Sequence, residues 1–151
     1  MPRKFSILLI DDDIELGPII KRASKDVFPE AEYVQVFSCS EAQAYFEKLN
    51  TYGPNLILLD IDMPSISGLE FLVYIKKSTL KAENTPVIIL TVSELPVDIF
   101  KAYQLGAVAF TTKPFSYTDW KDYLKVLRGY WYNTVTTEQI IFYPQVSIPA
   151  A

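Results

Sequence analysis

Histidine is absent from this chain of 151 residues. Imidazole metal ligation, Ser-His-Asp chemistry and phosphorylation on histidine are therefore all excluded within it. Cys39 is the only cysteine, which rules out an intrachain disulfide and suits a reducing cytoplasm. Basic clusters are missing too. The formal charge is −4, which argues against nucleic acid or an anionic membrane as the main partner. Nor is there a long hydrophobic run near the start. Arg3 and Lys4 precede an apolar stretch that stops at Ile10 before three aspartates, too short and too abruptly charged for a signal peptide or membrane span. No internal repeat or low-complexity tract is visible.

What is present reads as one globular domain, since half of the residues are hydrophobic and a chain of this size buries about 68–70% of its unfolded surface. Strand-like and helix-like segments alternate five times. The strands are read at Phe5–Ile10, Tyr33–Phe37, Asn55–Asp60, Pro86–Thr91 and Ala107–Thr112, each short and rich in Ile, Leu and Val or bounded by turn residues. Helices are read over Ile14–Phe28, from Ser40 to about Asn50, from Ser67 through Lys77, over Pro96–Leu105, and from Ser116 to about Tyr132. Pro18 predicts a late start or a kink in the first helix. Ser40-Glu41-Ala42-Gln43 and Ser67-Gly68-Leu69-Glu70 have capping-box spacing. This alternation implies right-handed βαβ crossovers and a parallel sheet covered on both faces. Residues 133–151, with Pro144 and Pro149, read as an extended tail, and no output domain is expected after the domain at 1–132.

Four polar groups fall where hydrophobic strands end. Asp11-Asp12-Asp13 follows "FSILLI", Asp60 follows "NLILL", Thr91 closes "PVIILT", and Lys113 closes "AVAFTTK". Ligands of open parallel sheets bind beyond the carboxyl ends of the strands, and carboxylates, a hydroxyl and an ammonium gathered there suit a divalent cation and a phosphoryl group. Mg²⁺ needs only one or two protein carboxylates in an octahedral oxygen shell, which Asp12 and Asp60 supply if the first and third strands are neighbours, with Asp11 behind them. Asp13 is placed to cap the first helix. Asp60 is the nucleophile candidate for an aspartyl phosphate. Lys113, helped by a metal, would neutralise the transferring oxygens, and Thr91 could donate a hydrogen bond to them.

The ordered series "ILLIDDD", "LILLDIDMPSISGLEFL", "PVIILT" and "FTTKPF" resembles the receiver domain of two-component response regulators over about residues 4–132. That resemblance implies a three-layer, doubly wound, flavodoxin-like sheet of order 2-1-3-4-5. It implies that Asp60 accepts a phosphoryl group from a phosphohistidine on a partner kinase or phosphotransfer protein, which accounts for the missing histidine. It also implies that Mg²⁺ sits between Asp12, Asp60 and the backbone carbonyl of Asp62, with Asp11 acting through water and Lys113 touching the acyl phosphate. The Lys113–Pro114 bond would be cis. Switching would couple Thr91 to Phe110, three positions before the lysine, where many relatives have a tyrosine. The output would be a protein contact on the face made by the fourth helix, fifth strand and fifth helix, without enzymatic activity.

Three features depart from that pattern or extend it. Val92 follows Thr91 where a small residue is usual, and its branched side chain would narrow access to the acyl phosphate. Asp62 places a second charge beside the acceptor. The last helix ends in Tyr130-Trp131-Tyr132, expected to be partly exposed in a homodimer or partner surface unless Ile140, Ile141, Phe142 and Tyr143 fold back over it. This aromatic ending resembles stand-alone receivers that serve phytochrome-type kinases. Two other readings compete with the first. One is a phosphatase of the haloacid-dehalogenase type, because Asp60-Ile61-Asp62 matches a D-x-D nucleophile motif, although that family carries the motif on its first strand. The other is a degenerate receiver used only as a binding module.

Overall fold

In the computed structural model, the described residues are 4–49, 53–77 and 84–132. The tail read at 133–151, with its Ile140–Tyr143 segment, lies outside them. Five strands, β1 (Phe5–Ile10), β2 (Ala31–Val36), β3 (Leu56–Leu59), β4 (Val87–Thr91) and β5 (Ala109–Thr112), alternate with α1 (Leu16–Val27), α2 (Cys39–Glu47), α3 (Gly68–Lys77), α4 (Pro96–Gln104) and α5 (Tyr117–Leu127). All strand pairs are parallel, and the order is β2-β1-β3-β4-β5.

Strands this apolar are buried on both faces, and the side-chain alternation sorts them into two cores. Leu8, Ile10, Ile57 and Leu59 face α2, α3 and α4, packing with Phe46, Phe71, Leu72 and Ile75. Ile7, Leu9, Leu56 and Leu58 face the other way, against Leu16 and Ile20 of α1 and Trp120 and Leu124 of α5. After β2 the chain returns past β1 to form β3. The strand order therefore reverses between β1 and β3, and the crevice at their carboxyl ends is the topological switch point.

The ends of the elements differ from the sequence reading in informative ways. α1 begins at Leu16, not Ile14, so Pro18 falls in the first turn, where its missing N–H has no intrahelical acceptor to lose and no kink is needed. α2 is capped by Ser38 rather than Ser40. Ser38 Oγ accepts from Glu41 N at 3.0 Å, and Glu41 Oε1 accepts from Phe37 N at 3.2 Å. Two S-x-x-E/Q frames overlap here, and the earlier one buries Cys39, Ala42 and Phe46. Ser67 caps α3 as read, accepting from Glu70 N at 3.3 Å.

The larger correction concerns the end of α5. A π-helical turn, Arg128–Tyr132, follows Leu127, and its wider hydrogen-bonded ring adds a residue to the turn. Trp131 continues the buried stripe of Trp120, Leu124 and Leu127, and Tyr132 turns inward beside it; both are buried. The Tyr132 ring meets Phe5 at 5.9 Å and Phe28 at 5.6 Å, edge-on in both cases. Against the expectation that this end is partly exposed, Trp131 and Tyr132 are buried in the core, while Tyr130 is half-buried. The turn is tied down by Arg128, whose Nε and Nη2 reach the two Glu30 carboxylate oxygens at 2.9 and 2.8 Å.

One glycine positions the functional end directly. A Cβ on Gly68 would overlap the Asp60 carbonyl oxygen and lie 2.7 Å from Ile61 Cα. Only glycine lets the first turn of α3 press against the backbone that carries Asp60.

Candidate functional site

Three of the site residues are held by extensions of the sheet ladder. Asp11 N donates to Val36 O at 3.1 Å, Asp60 N to Ile10 O at 3.0 Å, and Lys113 N to Thr91 O at 2.9 Å. These bonds carry the strand directions one residue past β1, β3 and β5, so the side chains converge over the switch point. Carboxylate oxygens of Asp11, Asp12 and Asp60 lie within 4.8 Å of one another. Lys113 Nζ stands 2.8 Å from Asp11 Oδ2 and 3.3 Å from Asp60 Oδ2. Asp11 and Asp60 are buried, whereas Asp12 is exposed. The remaining oxygens are also oriented: Asp11 Oδ1 accepts from Asp13 N at 2.9 Å, and Asp60 Oδ1 from Asp62 N at 3.0 Å. Asp13 opens the helix as an Asx turn, its Oδ1 accepting from Glu15 N at 3.0 Å.

Charge is unbalanced in this cluster. Burial pushes the Asp11 carboxyl up, and the Asp60 charge adds to it, while Lys113 and the Asp13 N–H offset only part. Burial pulls the Lys113 ammonium down, but Asp11 and then Asp60 outweigh it and hold it above the ordinary lysine range. The cluster thus gathers three carboxylates, and its ammonium is paired with two of them, Asp11 and Asp60. Asp11 Oδ2 is buried and, despite its distance from Nζ, receives no well-aligned hydrogen bond. A buried oxygen with unused acceptor capacity, in an all-oxygen set with excess negative charge, fits a hard divalent cation.

Gln35 escapes a reading of the sequence, where a polar residue on an edge strand looks solvent-facing. Its Nε2 donates to Asp11 O at 2.9 Å and to Asp13 O at 2.8 Å, and its Oε1 accepts from Gly17 N at 2.9 Å. One amide therefore clamps both ends of the acidic loop to the start of α1. The only sequence signal is its polarity near the end of β2, beside the acidic run. Gln35→Ala is expected to weaken divalent-cation binding about tenfold, as loss of an outer-shell orienting group does. Calorimetric titration checks this; unchanged affinity would show that the loop holds its own shape.

Thr91 closes β4 and is buried. Its Oγ1 donates to Asp62 Oδ2 at 3.1 Å. Phe110 is buried in the core shared with α4, and its backbone N–H donates to Tyr103 Oη of α4 at 2.9 Å. The Lys113–Pro114 bond, expected to be cis, is trans, for no cis peptide occurs among the described residues; trans is the intrinsically favoured form, by about 0.5–1 kcal/mol. Beside Lys113 a groove of about 650 Å³ is lined by Ile14, Pro18, Val92, Pro114 and Phe115, among others. Ile14, Val92 and Phe115 are 75%, 72% and 100% exposed, an unusual apolar rim around a charged site.

The response regulator receiver domain model matches residues 7–125. The chain belongs to this family. Receiver domains of this family work in two-component signalling, and its five-stranded order and flanking helices are those seen here. The chain is 29% identical over 137 residues to the response regulator Rcp1 of Synechocystis sp., covering 86% of this chain and 90% of that one. A crystal structure of the phosphorylated cyanobacterial phytochrome response regulator RcpA superposes with a TM-score of 0.77 at 29% identity, over 87% of this chain and 96% of that chain. The manganese-bound form of Rcp1 superposes with a TM-score of 0.73 at 25% identity, over 97% and 99%. Longer relatives add other domains to a receiver. A protein-glutamate methylesterase/protein-glutamine glutaminase of Trichodesmium erythraeum is 32% identical over 70% of this chain, which spans only 26% of that relative. A receiver domain can therefore sit within an enzyme. The haloacid-dehalogenase reading finds no support, since Asp60-Ile61-Asp62 follows β3 of a receiver fold rather than a first strand. Among the described residues, no helix is long and apolar enough to cross a membrane.

Proposed function

We propose that Asp60 is the phosphoryl acceptor of this receiver, taking the group from a phosphohistidine on a kinase or phosphotransfer protein in a Mg²⁺-dependent reaction. One observation carries this reading: the Lys113 ammonium lies 3.3 Å from Asp60 Oδ2 in a cluster with Asp11 and Asp12. A carboxylate oxygen of Asp60 attacks phosphorus, the phosphorus–nitrogen bond breaks, and the imidazole leaves with the electron pair and takes a proton from solvent. Lys113 neutralises charge on the equatorial oxygens. Asp11, Asp12, Asp60 and the Asp62 carbonyl are the groups that would hold Mg²⁺, which would neutralise further phosphoryl charge when bound. Thr91 supplies a hydroxyl to the modified group, and Thr91 and Phe110 form the switch.

The side chain of Asp60 is only 6% exposed. Its donor must therefore present phosphorus on a protruding group, and an imidazole on a helix surface does so. The apolar rim of Ile14, Val92 and Phe115 supplies contact area for that helix beside the acceptor. Likeness to RcpA supports a phytochrome-type kinase as the donor class. The cytoplasm is the compartment this exchange implies. The signal leaves by protein contact through the face of α4, β5 and α5, where Val97 and Phe100 are exposed, to a downstream target or a second copy of the chain, with no enzymatic output of its own.

Incubation with acetyl phosphate tests the reading. One acyl phosphate per chain is expected by intact-mass measurement with Mg²⁺ and none with a chelator. An unlabelled protein would favour the binding-module alternative, and steady release of phosphate from an aryl phosphomonoester would favour a phosphatase.

A further inference from the structure

A threonine hydroxyl has a single proton to donate. At Thr91 that proton is directed to the Asp62 carboxylate, 3.1 Å away. The same Oγ1 accepts from Ser93 N at 3.4 Å. Ser93 Oγ in turn donates to Asp98 Oδ2 at 2.9 Å and accepts from Leu95 N at 3.4 Å. A hydrogen-bonded chain thus runs from the residue two places beyond Asp60, through the end of β4, to the first turn of α4.

We propose that the Asp62 side chain is a latch, a positioning residue that holds Thr91 away from the phosphoryl site until the acceptor is modified. The inference rests on Asp60 being the acceptor. Phosphoryl oxygens on Asp60 and the carboxylate of Asp62 are competing anions for one proton, so Thr91 can serve only one of them at a time. Rotating Thr91 toward the phosphoryl group breaks its bond to Asp62 and withdraws Oγ1 from the Ser93 N–H. The loop of residues 92–95 then loses its anchor to β4. That loop ends at the exposed Leu95 and leads directly into α4, whose first turn carries the exposed Val97. Asp62 sets the threshold of the switch, and the Ser93–Asp98 bond passes the change to the helix.

A double-mutant cycle separates this latch from simple charge repulsion by Asp62. Acetyl phosphate labelling rates and beryllofluoride affinity are measured for the wild type, Asp62→Ala, Thr91→Ala and the double variant. Asp62→Ala is expected to raise both about five- to tenfold when Thr91 is present, the scale of the net worth of one intramolecular hydrogen bond, and less than about twofold in the Thr91→Ala background. The methyl resonance of Thr91 in unmodified Asp62→Ala should also move toward its beryllofluoride-bound position. Equal effects in both backgrounds, with an unmoved methyl, would overturn the latch and leave Asp60 as acceptor. A wild type that takes no label at all would overturn the acceptor reading and the latch together.

Discussion

Asp60→Asn is expected to abolish acyl-phosphate formation, with a loss of at least about a thousandfold in labelling rate, as for removal of a covalent nucleophile. The substitution keeps shape and keeps an oxygen able to accept from Asp62 N, now at 3.0 Å from Asp60 Oδ1, so the fold is retained. An amide oxygen, however, is too weak a nucleophile to attack phosphorus. Neighbouring carboxylates cannot take over. Asp11 is buried, with Oδ1 bound to Asp13 N and Oδ2 2.8 Å from Lys113 Nζ. Asp12 is exposed, and the ion pairs of Lys113 go to Asp11 and Asp60 instead. Intact-mass measurement after acetyl phosphate treatment checks the outcome. Residual labelling near the wild-type rate would place the acceptor elsewhere.

Lys113→Met has the second large effect, and it falls on stability as well as chemistry. Lys113 is the cation for two buried carboxylates, Asp11 and Asp60. Removing one partner of a buried pair leaves charge uncompensated, at a cost of about 3 kcal/mol. The pH dependence follows from Asp11, whose carboxyl is already pushed up, chiefly by burial. A carboxyl raised by folding contributes its full stability below its unfolded pKa, and that contribution is lost as pH rises through the folded value. Without Lys113 the rise is larger, so the deficit of the variant relative to wild type should be small near about pH 4 and grow toward about pH 7. A divalent cation, binding the folded cluster alone, should recover part of it. Thermal unfolding across that range, with and without Mg²⁺, checks each element. A deficit independent of pH and of cation would mean that Lys113 acts by packing and not by charge.

Much of this architecture is legible because strand ends and chemistry coincide. Apolar runs stopping abruptly at Asp11, Asp60, Thr91 and Lys113 mark both the parallel strands and the site, and the strand order follows from the family that those residues resemble. Helix starts are less legible. Ser38 and Ser40 both precede an acid or amide by three residues, and only packing of Cys39 and Phe46 against the sheet decides between them. Trp131 illustrates the opposite limit. Its place on the apolar stripe points inward, but the aromatic run Tyr130-Trp131-Tyr132 suggests a surface, and local composition does not reveal a π-helical turn. Gln35 and the Thr91–Asp62 bond are out of reach for another reason. Each depends on side-chain geometry between segments 18 or more residues apart, and neither residue type announces it. The cis form of Lys113–Pro114 is carried by family likeness alone, with no residue pattern to support it.

Trapping the modified side chain gives the most direct test. Borohydride reduces an aspartyl phosphate to homoserine, and peptide sequencing by mass spectrometry then reads which position was modified. After treatment with acetyl phosphate and Mg²⁺, conversion is expected at position 60 alone, and none is expected when the cation is chelated. Conversion at position 11 or 12, or at 60 regardless of chelator, would contradict an acceptor held by Lys113 in a cation-dependent pocket.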